Sequence, residues 1–179
     1  SGGANKFRLM QDGAKFYMDG QVNNYDMAIR LKNSSGVQKT AEFTMDSANM
    51  ILKGVEEVIC ISCSDETTDL TTGAAKVTFH MPYAMTLTAV KATATGAPVG
   101  SSTLLTVDIN EGGSTILSTK LTFDTTEKTT SSAATAAVIS DTALADDALM
   151  TIDIDAIGSG GGGATAGKGL KVWLYGFRS

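Results

Sequence analysis

The chain has 179 residues, 42% of them hydrophobic, and carries 14 Lys and Arg against 19 Asp and Glu, for a net charge of −5. This length and hydrophobic share favour one folded domain, or one domain with an appendage, over a disordered chain. The acidic balance argues against a nucleic-acid partner, which would need cations to displace phosphate counterions, and no run of 18 apolar residues is long enough for membrane insertion.

The beginning of the chain reads as a series of short strands. Residues 6–54 alternate apolar and polar side chains between turn signals such as Asp12-Gly13 and Asp19-Gly20, which predicts strands rather than helices. The chain opens Ser-Gly-Gly-Ala without a Met. We therefore expect residues 1–3 to be a cloning remnant and the chain to be a fragment of a longer protein.

Short strands with one apolar stripe need a partner surface. About fifty residues of such strands cannot enclose a core alone. We interpret residues 1–54 as a β-stalk in which three identical chains share one narrow interior, with Phe16, Ile29 and Leu31 as candidate trimer-interface residues. The alternative is a sheet that packs on the rest of the same chain.

Residues 55–179 predict a larger all-β domain. Runs of alternating or β-branched residues are separated by Gly, Ser, Thr and Asp turns, and Asn110-Glu111-Gly112-Gly113 is typical of a hairpin turn. Eight such strands favour an antiparallel β-sandwich knob, with a jelly roll as the simplest solution. A short helical turn is expected only within 142–148. The predicted strands are Val55–Cys63, Ala74–Met81, Met85–Ala94, Thr103–Asn110, Ser114–Phe123, Ala137–Ser140, Leu149–Ala156 and Leu170–Phe177.

The last predicted strand is apolar on both faces. Leu170, Val172 and Leu174 alternate with an opposite face that bears Trp173, Tyr175 and Phe177. A sandwich strand normally shows one face to water, so the second face is expected to meet another subunit or the stalk. Trp173, Tyr175 and Phe177 are therefore further candidate interface residues. In Leu149–Ala156, by contrast, Asp153 and Asp155 indicate a solvated face.

Two local motifs match functional patterns without their structural context. Cys60 and Cys63 form a C-x-x-C pair, but no second ligand pair or following helix accompanies it, so two structural thiols are expected. The tract Gly158–Gly169 fits phosphate-loop patterns, but these need a helix directly after the loop, and a strand is predicted there. We interpret it as a flexible hairpin loop.

The sequence contains few candidate residues for catalysis or metal binding. His80 is the only histidine, and a lone histidine is more often hydrogen-bonded than a ligand. The carboxylates of Asp153 and Asp155 alternate along a strand and do not converge on a cation, and Asp65, Glu66 and Asp69 are expected in a solvated turn. No nucleophile elbow is present. The prediction is a protein that is not an enzyme and holds no metal or cofactor.

Several blocks of sequence, in order, resemble a module of tailed-bacteriophage virion proteins that often ends predicted tail fibres. The resemblance covers roughly residues 56–178; the first fifty residues resemble phage β-stalks only in style. The matching blocks are SDETTDLTTG (64–73), KVTFHMPYAMTL (76–87), LLTVDINEGG (104–113), ILSTKL (116–121), IDIDAIG (152–158) and GKGLKV (167–172).

The resemblance implies a homotrimeric tail-fibre tip or receptor-binding fragment: a short stalk carrying a β-sandwich knob that attaches to a bacterial surface glycan or protein. It further implies an extracellular location on the virion and contacts with other virion proteins through a missing N-terminal part. The alternatives are a capsid decoration or cement protein and, third, a carbohydrate-active enzyme on a β-fold. Receptor contacts are expected in loops such as Thr95–Ser102, Thr125–Thr135 and Gly158–Gly169, without a choice among them.

Overall fold

The first part of the chain contains two separate groups of paired strands. The structure, a computed structural model, describes residues 55–179 throughout and, before them, the paired backbone of five strands. One group is an antiparallel pair and the other a three-stranded sheet in the order β3-β4-β5. The strands are β1 (Phe7–Asp12), β2 (Lys15–Gly20), β3 (Met27–Lys32), β4 (Gln38–Met45) and β5 (Met50–Lys53).

Three predicted interface residues belong to these strands. Phe16 pairs with Gln11 in β1–β2, and Ile29 and Leu31 belong to β3. Their side chains lie outside the described residues. The chain divides into two compact units, Ser1–Gly54 and Val55–Ser179, and the second is described in full.

The second unit consists of strands joined by turns and loops, with no helix among its residues. The described chain therefore has no helix that could cross a membrane. Its strands are β6 (Glu56–Ser62), β7 (Gly73–His80), β8 (Met85–Thr93), β9 (Thr106–Glu111), β10 (Ser114–Thr115), β11 (Leu117–Thr119), β12 (Leu121–Thr122), β13 (Val138–Ile139), β14 (Ala143–Leu144), β15 (Leu149–Ala156) and β16 (Lys171–Arg178).

These strands form two principal antiparallel sheets. One sheet has the order β14-β8-β16-β6, and the other has the order β10-β9-β15-β7, with β12 also paired to β9. The pairing is nested along the chain: β6 pairs with the last strand, β7 with β15, β8 with β14, and β9 with the strands that follow it. The predicted all-β, antiparallel class is confirmed.

The core of this unit lies between the inward faces of the two sheets. Ile109, Met150 and Ile152 from one sheet and Val172 and Leu174 from the other are fully buried. Each of these residues alternates with a less buried or polar neighbour along its strand, as the period of two predicts. Burying such apolar side chains contributes roughly 1.5–3 kcal/mol each, so this core supplies most of the stabilisation.

A charged cluster lies on the outer face of the β9–β15 sheet. Lys120 Nζ is 2.9 Å from Asp108 and 2.5 Å from Asp155, and the Asp108 side chain is only 6% exposed. Thr115 Oγ1 also donates to Asp108 at 2.6 Å. Both carboxylates raise the pKa of Lys120. Asp155 is exposed, so the solvated face predicted for its strand is confirmed, and the carboxylate there is paired with Lys120.

Two local predictions are corrected by the strand assignment. The segment predicted to hold a helical turn instead contains the short strand β14 and a turn, which place Leu144 in the core. The single strand predicted over Ser114–Phe123 is divided into β10, β11 and β12, because β11 leaves the edge of β9 and pairs with β13. The Asn110–Gly113 hairpin is confirmed, with Gly112 and Gly113 at φ 57° and 85°.

Candidate functional site

The outer face of the β8–β16–β6 sheet carries a row of three aromatic side chains. Trp173, Tyr175 and Phe177 occupy alternate positions of β16, opposite the buried positions of Val172 and Leu174. All three are half-buried in the isolated chain. The sequence prediction that this strand is apolar on both faces is therefore confirmed, while the predicted subunit contact of the outer face stays a prediction.

Neighbouring strands extend this aromatic face. Tyr175 pairs across the sheet with Val58 of β6 and Ala89 of β8, and Val58 is 49% exposed. Lys91 Nζ lies 5.6 Å from the centroid of the Tyr175 ring, which is within the range of a cation–π contact. We call the outer surface of Val58, Ala89, Trp173, Tyr175 and Phe177 the aromatic face.

A hydrogen bond fixes the polar end of the aromatic face. Trp173 Nε1 donates to Thr93 Oγ1 at 3.1 Å, which satisfies the indole N–H and orients the ring. The polar atom of this half-exposed side chain is already bonded and its ring is already oriented. Binding of another apolar surface to the ring would therefore lose little side-chain entropy. The aromatic face is therefore suited to contact with another apolar surface.

The three loops that were predicted to contact a receptor lie next to one another. The loop Thr95–Ser102 pairs with Gly158–Gly169 through the bridges Gly96↔Lys168 and Val99↔Thr165. The third loop joins them because the Thr126 N–H donates to the Pro98 carbonyl at 2.8 Å. Segments that are distant in the sequence thus form one surface, which we call the loop cluster.

The glycine-rich tract is not the hairpin loop that we expected. It connects β15 to β16, which belong to different sheets, and its backbone bonds to the opposite loop. A Cβ on Gly158 would lie 2.4 Å from the Thr165 carbonyl oxygen and 2.8 Å from that of Val99. Glycine is therefore needed there for close backbone packing, which explains a glycine-rich sequence without a phosphate site.

One strained residue lies inside the loop cluster. Thr126 has φ 68°, a conformation that a β-branched residue rarely adopts and that costs on the order of 1–3 kcal/mol. Its N–H bond to Pro98 and the bond from Gly100 N–H to Thr125 Oγ1 hold this conformation. Such strain is commonly retained at functional loops.

The exposed surface of the loop cluster consists mainly of small hydroxyl side chains and glycine. Hydroxyl groups can both donate and accept hydrogen bonds, so this surface can bind polar, uncharged groups such as sugar hydroxyls. Its exposed hydroxyl residues are Ser101, Ser102, Thr103, Thr125, Thr126 and Thr165.

A fourth loop, which contains Asp65 and was predicted only as a solvated turn, bonds to the base of the loop cluster. The Gly169 N–H donates to the Asp65 carbonyl at 3.0 Å, and the Leu70 N–H donates to the Gly167 carbonyl at 2.9 Å. The turn itself is confirmed: Asp65 Oδ1 accepts bonds from the N–H groups of Thr67 and Thr68 at 2.7 and 2.6 Å.

Acid should weaken this turn. The bonds from the Thr68 and Thr67 N–H groups lower the pKa of Asp65 to about 2. Because the folded-state pKa lies below the ordinary value of 3.8, the stabilisation is present above about pH 4 and is lost as the pH falls towards 2. We expect Asp65→Asn to lower the melting temperature at pH 7 and to make no difference near pH 2. A difference in melting temperature that stays constant over this range would contradict the assignment.

The remaining candidate residues, the two cysteines and the histidine, do not form a common site. Cys60 is exposed, whereas Cys63 is buried, which raises the pKa of the Cys63 thiol to about 12. His80 Nδ1 lies 2.9 Å from the Asp147 carbonyl oxygen and 3.1 Å from its carboxylate. Within the described residues, no group of three His, Cys, Asp or Glu side chains converges on a possible metal position.

The chain was compared with protein-family models, with curated proteins and with solved structures. No family model matches it, and no curated protein and no solved structure matches it either.

Proposed function

We propose that the chain is a structural fragment of a tailed-phage virion, from a tail-fibre tip or receptor-binding protein, that attaches the particle to the bacterial surface. In this proposal residues 1–54 form a trimeric β-stalk and residues 55–179 form a β-sandwich knob of jelly-roll type. The nested strand pairing supports the jelly-roll interpretation, because that fold is a long antiparallel ribbon wrapped into two sheets. The resemblance of residues 56–178 supplies the phage assignment.

The observation that carries the attachment role is the convergence of the loop cluster. Three segments, at 95–102, 125–126 and 158–169, meet through backbone bonds, and they expose hydroxyl groups on a rigid β-scaffold. Recognition sites are commonly built from loops held in this way. Three copies on one particle tip would bind a surface far more tightly than one copy, because the second and third contacts are intramolecular.

The aromatic face supports self-association of the knob. Trp173, Tyr175 and Phe177 are half-buried in a single chain, and Val58 beside them is half-exposed. Aromatic side chains are enriched at the centres of protein interfaces. We therefore assign the aromatic face to the contact between copies and the loop cluster to the host.

Binding to cells tests the proposed function. Labelled full chain is mixed with a panel of bacterial strains and with the same cells after periodate oxidation of their surface glycans. We expect saturable binding to a subset of strains. Loss of binding after oxidation would identify a glycan receptor, and its persistence would identify a protein receptor.

Two outcomes would replace the proposal. Binding to empty phage heads, with no binding to any strain, would favour the capsid decoration protein. Release of oligosaccharides from host polysaccharide, abolished by the change of a single carboxylate, would favour the enzyme.

A further inference from the structure

A groove runs along the outer edge of β8. It has a volume of about 430 Å³ and lies between β8 and the segment that contains β13. None of its lining side chains is charged, and most are apolar. The lining residues are Leu87, Thr88, Ala89, Val90, Ala137, Val138, Ile139 and Thr142.

The edge of β8 is open along this groove. At one end the Leu87 N–H donates to the Thr142 carbonyl at 2.8 Å, and at the other the Thr130 N–H donates to the Ala92 carbonyl at 3.0 Å. Backbone groups of alternate residues point to the same side of a strand, so, counted back from Ala92, the N–H and C=O of Val90 point into the groove. A β-bulge between Leu87 and Ala89 shifts the register by one residue, so that Leu87 shares this side. No described residue bonds to them there. The gap from Leu87 to Ala92 is about 17 Å long.

The opposite edge of the same sheet has no paired strand among the described residues. β6 ends the order β14-β8-β16-β6. The Cys63 N–H donates to the Leu170 carbonyl at 2.8 Å, towards β16, so by alternation Val58 and Cys60 direct their N–H and C=O groups away from β16. No described strand pairs with them.

We propose that the β6 edge of one copy adds as a strand to the β8 groove of the next copy. This inference rests on the proposed trimer and specifies how its knobs join. An extended backbone can offer both an acceptor to the Val90 N–H and a donor to the Val90 C=O. The apolar, uncharged groove also requires an uncharged strand, and β6 supplies five consecutive uncharged residues from Val58 to Ser62.

Comparison with the other long edge strand, β7, supports β6 as the added strand. β7 ends the second sheet, but it carries Lys76 and His80 and has Ala75 at φ 48°. Charged residues and irregular backbone are the features that protect an edge strand from pairing. β6 has charged residues only at its first two positions, Glu56 and Glu57. Because donor and acceptor edges differ, the contact is head-to-tail, and three copies can close a ring.

Residue-resolved amide hydrogen exchange on the trimer of chain 1–179 tests the strand addition. We expect the amides of Val58, Cys60 and Val90 to exchange at least about 100-fold more slowly than those of Thr78 and His80, which by alternation face the free edge of β7. Val90→Pro removes the edge donor and keeps the backbone bonds to β16, since the Val90 N–H does not point towards β16. It also removes a side chain that packs against the core, so the fold of this variant has to be checked separately. In this variant the amides of Val58 and Cys60 should exchange fast, even if residues 1–54 hold the trimer together.

Matched variants separate the possible results. Thr78→Pro, the same change on the β7 edge, should leave the Val58 and Cys60 amides slow. The amides of Ile59 and Ile61, which face β16, should stay slow in every variant and so report an intact fold. A trimer in which the Val58 and Cys60 amides exchange like Thr78 would overturn the strand addition while leaving the trimer standing. A chain 1–179 that is monomeric in solution would overturn both the strand addition and the proposed trimer.

Discussion

Tyr175→Glu is expected to weaken the proposed trimer. The ring lies at the centre of the aromatic face, between Val58 and Ala89. A carboxylate at this position would be buried between copies without a full set of partners, which costs several kcal/mol. Because each trimer carries three copies of the change, we expect the association constant to fall at least about 10³-fold. Sedimentation equilibrium over a range of concentrations measures this fall.

A matched charge on the other sheet separates assembly from folding. Thr78→Glu places the same carboxylate on an exposed strand position of β7 and should leave both the trimer and the near-ultraviolet circular dichroism unchanged. Trp173→Ala should weaken the trimer in the same direction as Tyr175→Glu by removing apolar area. If Tyr175→Glu leaves the association constant of the chain unchanged, the aromatic face is not the interface.

Gly158→Ala is expected to separate the two paired loops of the loop cluster. The added methyl group would meet backbone oxygens of Val99 and Thr165, and neither can move without breaking the pair. The two bonds that join these residues, Val99 N–H to Thr165 O at 3.0 Å and Thr165 N–H to Val99 O at 2.9 Å, should be lost. At 0.5–1.5 kcal/mol for each bond, the loss is about 2 kcal/mol.

Exchange of the Val99 and Thr165 amides measures this separation, and binding to bacterial cells measures its consequence. We expect both amides to become fast and cell binding to fall, while the trimer persists. Gly162→Ala is the matched control, because a Cβ there meets nothing within 4 Å and should change neither measurement. Full cell binding by a Gly158→Ala chain with fast amides would exclude this loop pair from the receptor site.

The strand content of the second unit could be predicted because its cause is local. In β15 and β16 alternate residues are buried, and the pattern of apolar residues in the sequence predicts which residues these are. The β9–β10 hairpin was predictable for the same reason, since two glycines with positive φ close it. Such signals need only neighbours in the sequence.

The loop cluster could not be predicted because its contacts are between residues distant in the sequence. The bond from Thr126 to Pro98 and the pairing of Val99 with Thr165 depend on where the two sheets bring the chain. The division of the strand after β10 has a similar origin, because β11 leaves β9 to pair with β13. The burial of Asp108 was missed because an isolated Asp on a strand predicts solvent exposure.

The pairing of β6 with β16 has a consequence for synthesis of the chain. The first strand of the second unit cannot take its place until the last strand, Lys171–Arg178, has left the ribosome. Topologies with such long sequence separation between contacts fold slowly, so this unit is expected to complete its fold only after β16 has been synthesised. Because β16 is the central partner of both β6 and β8, a chain that terminates early lacks the strand that joins them. Such incomplete copies are therefore expected to lack a folded second unit.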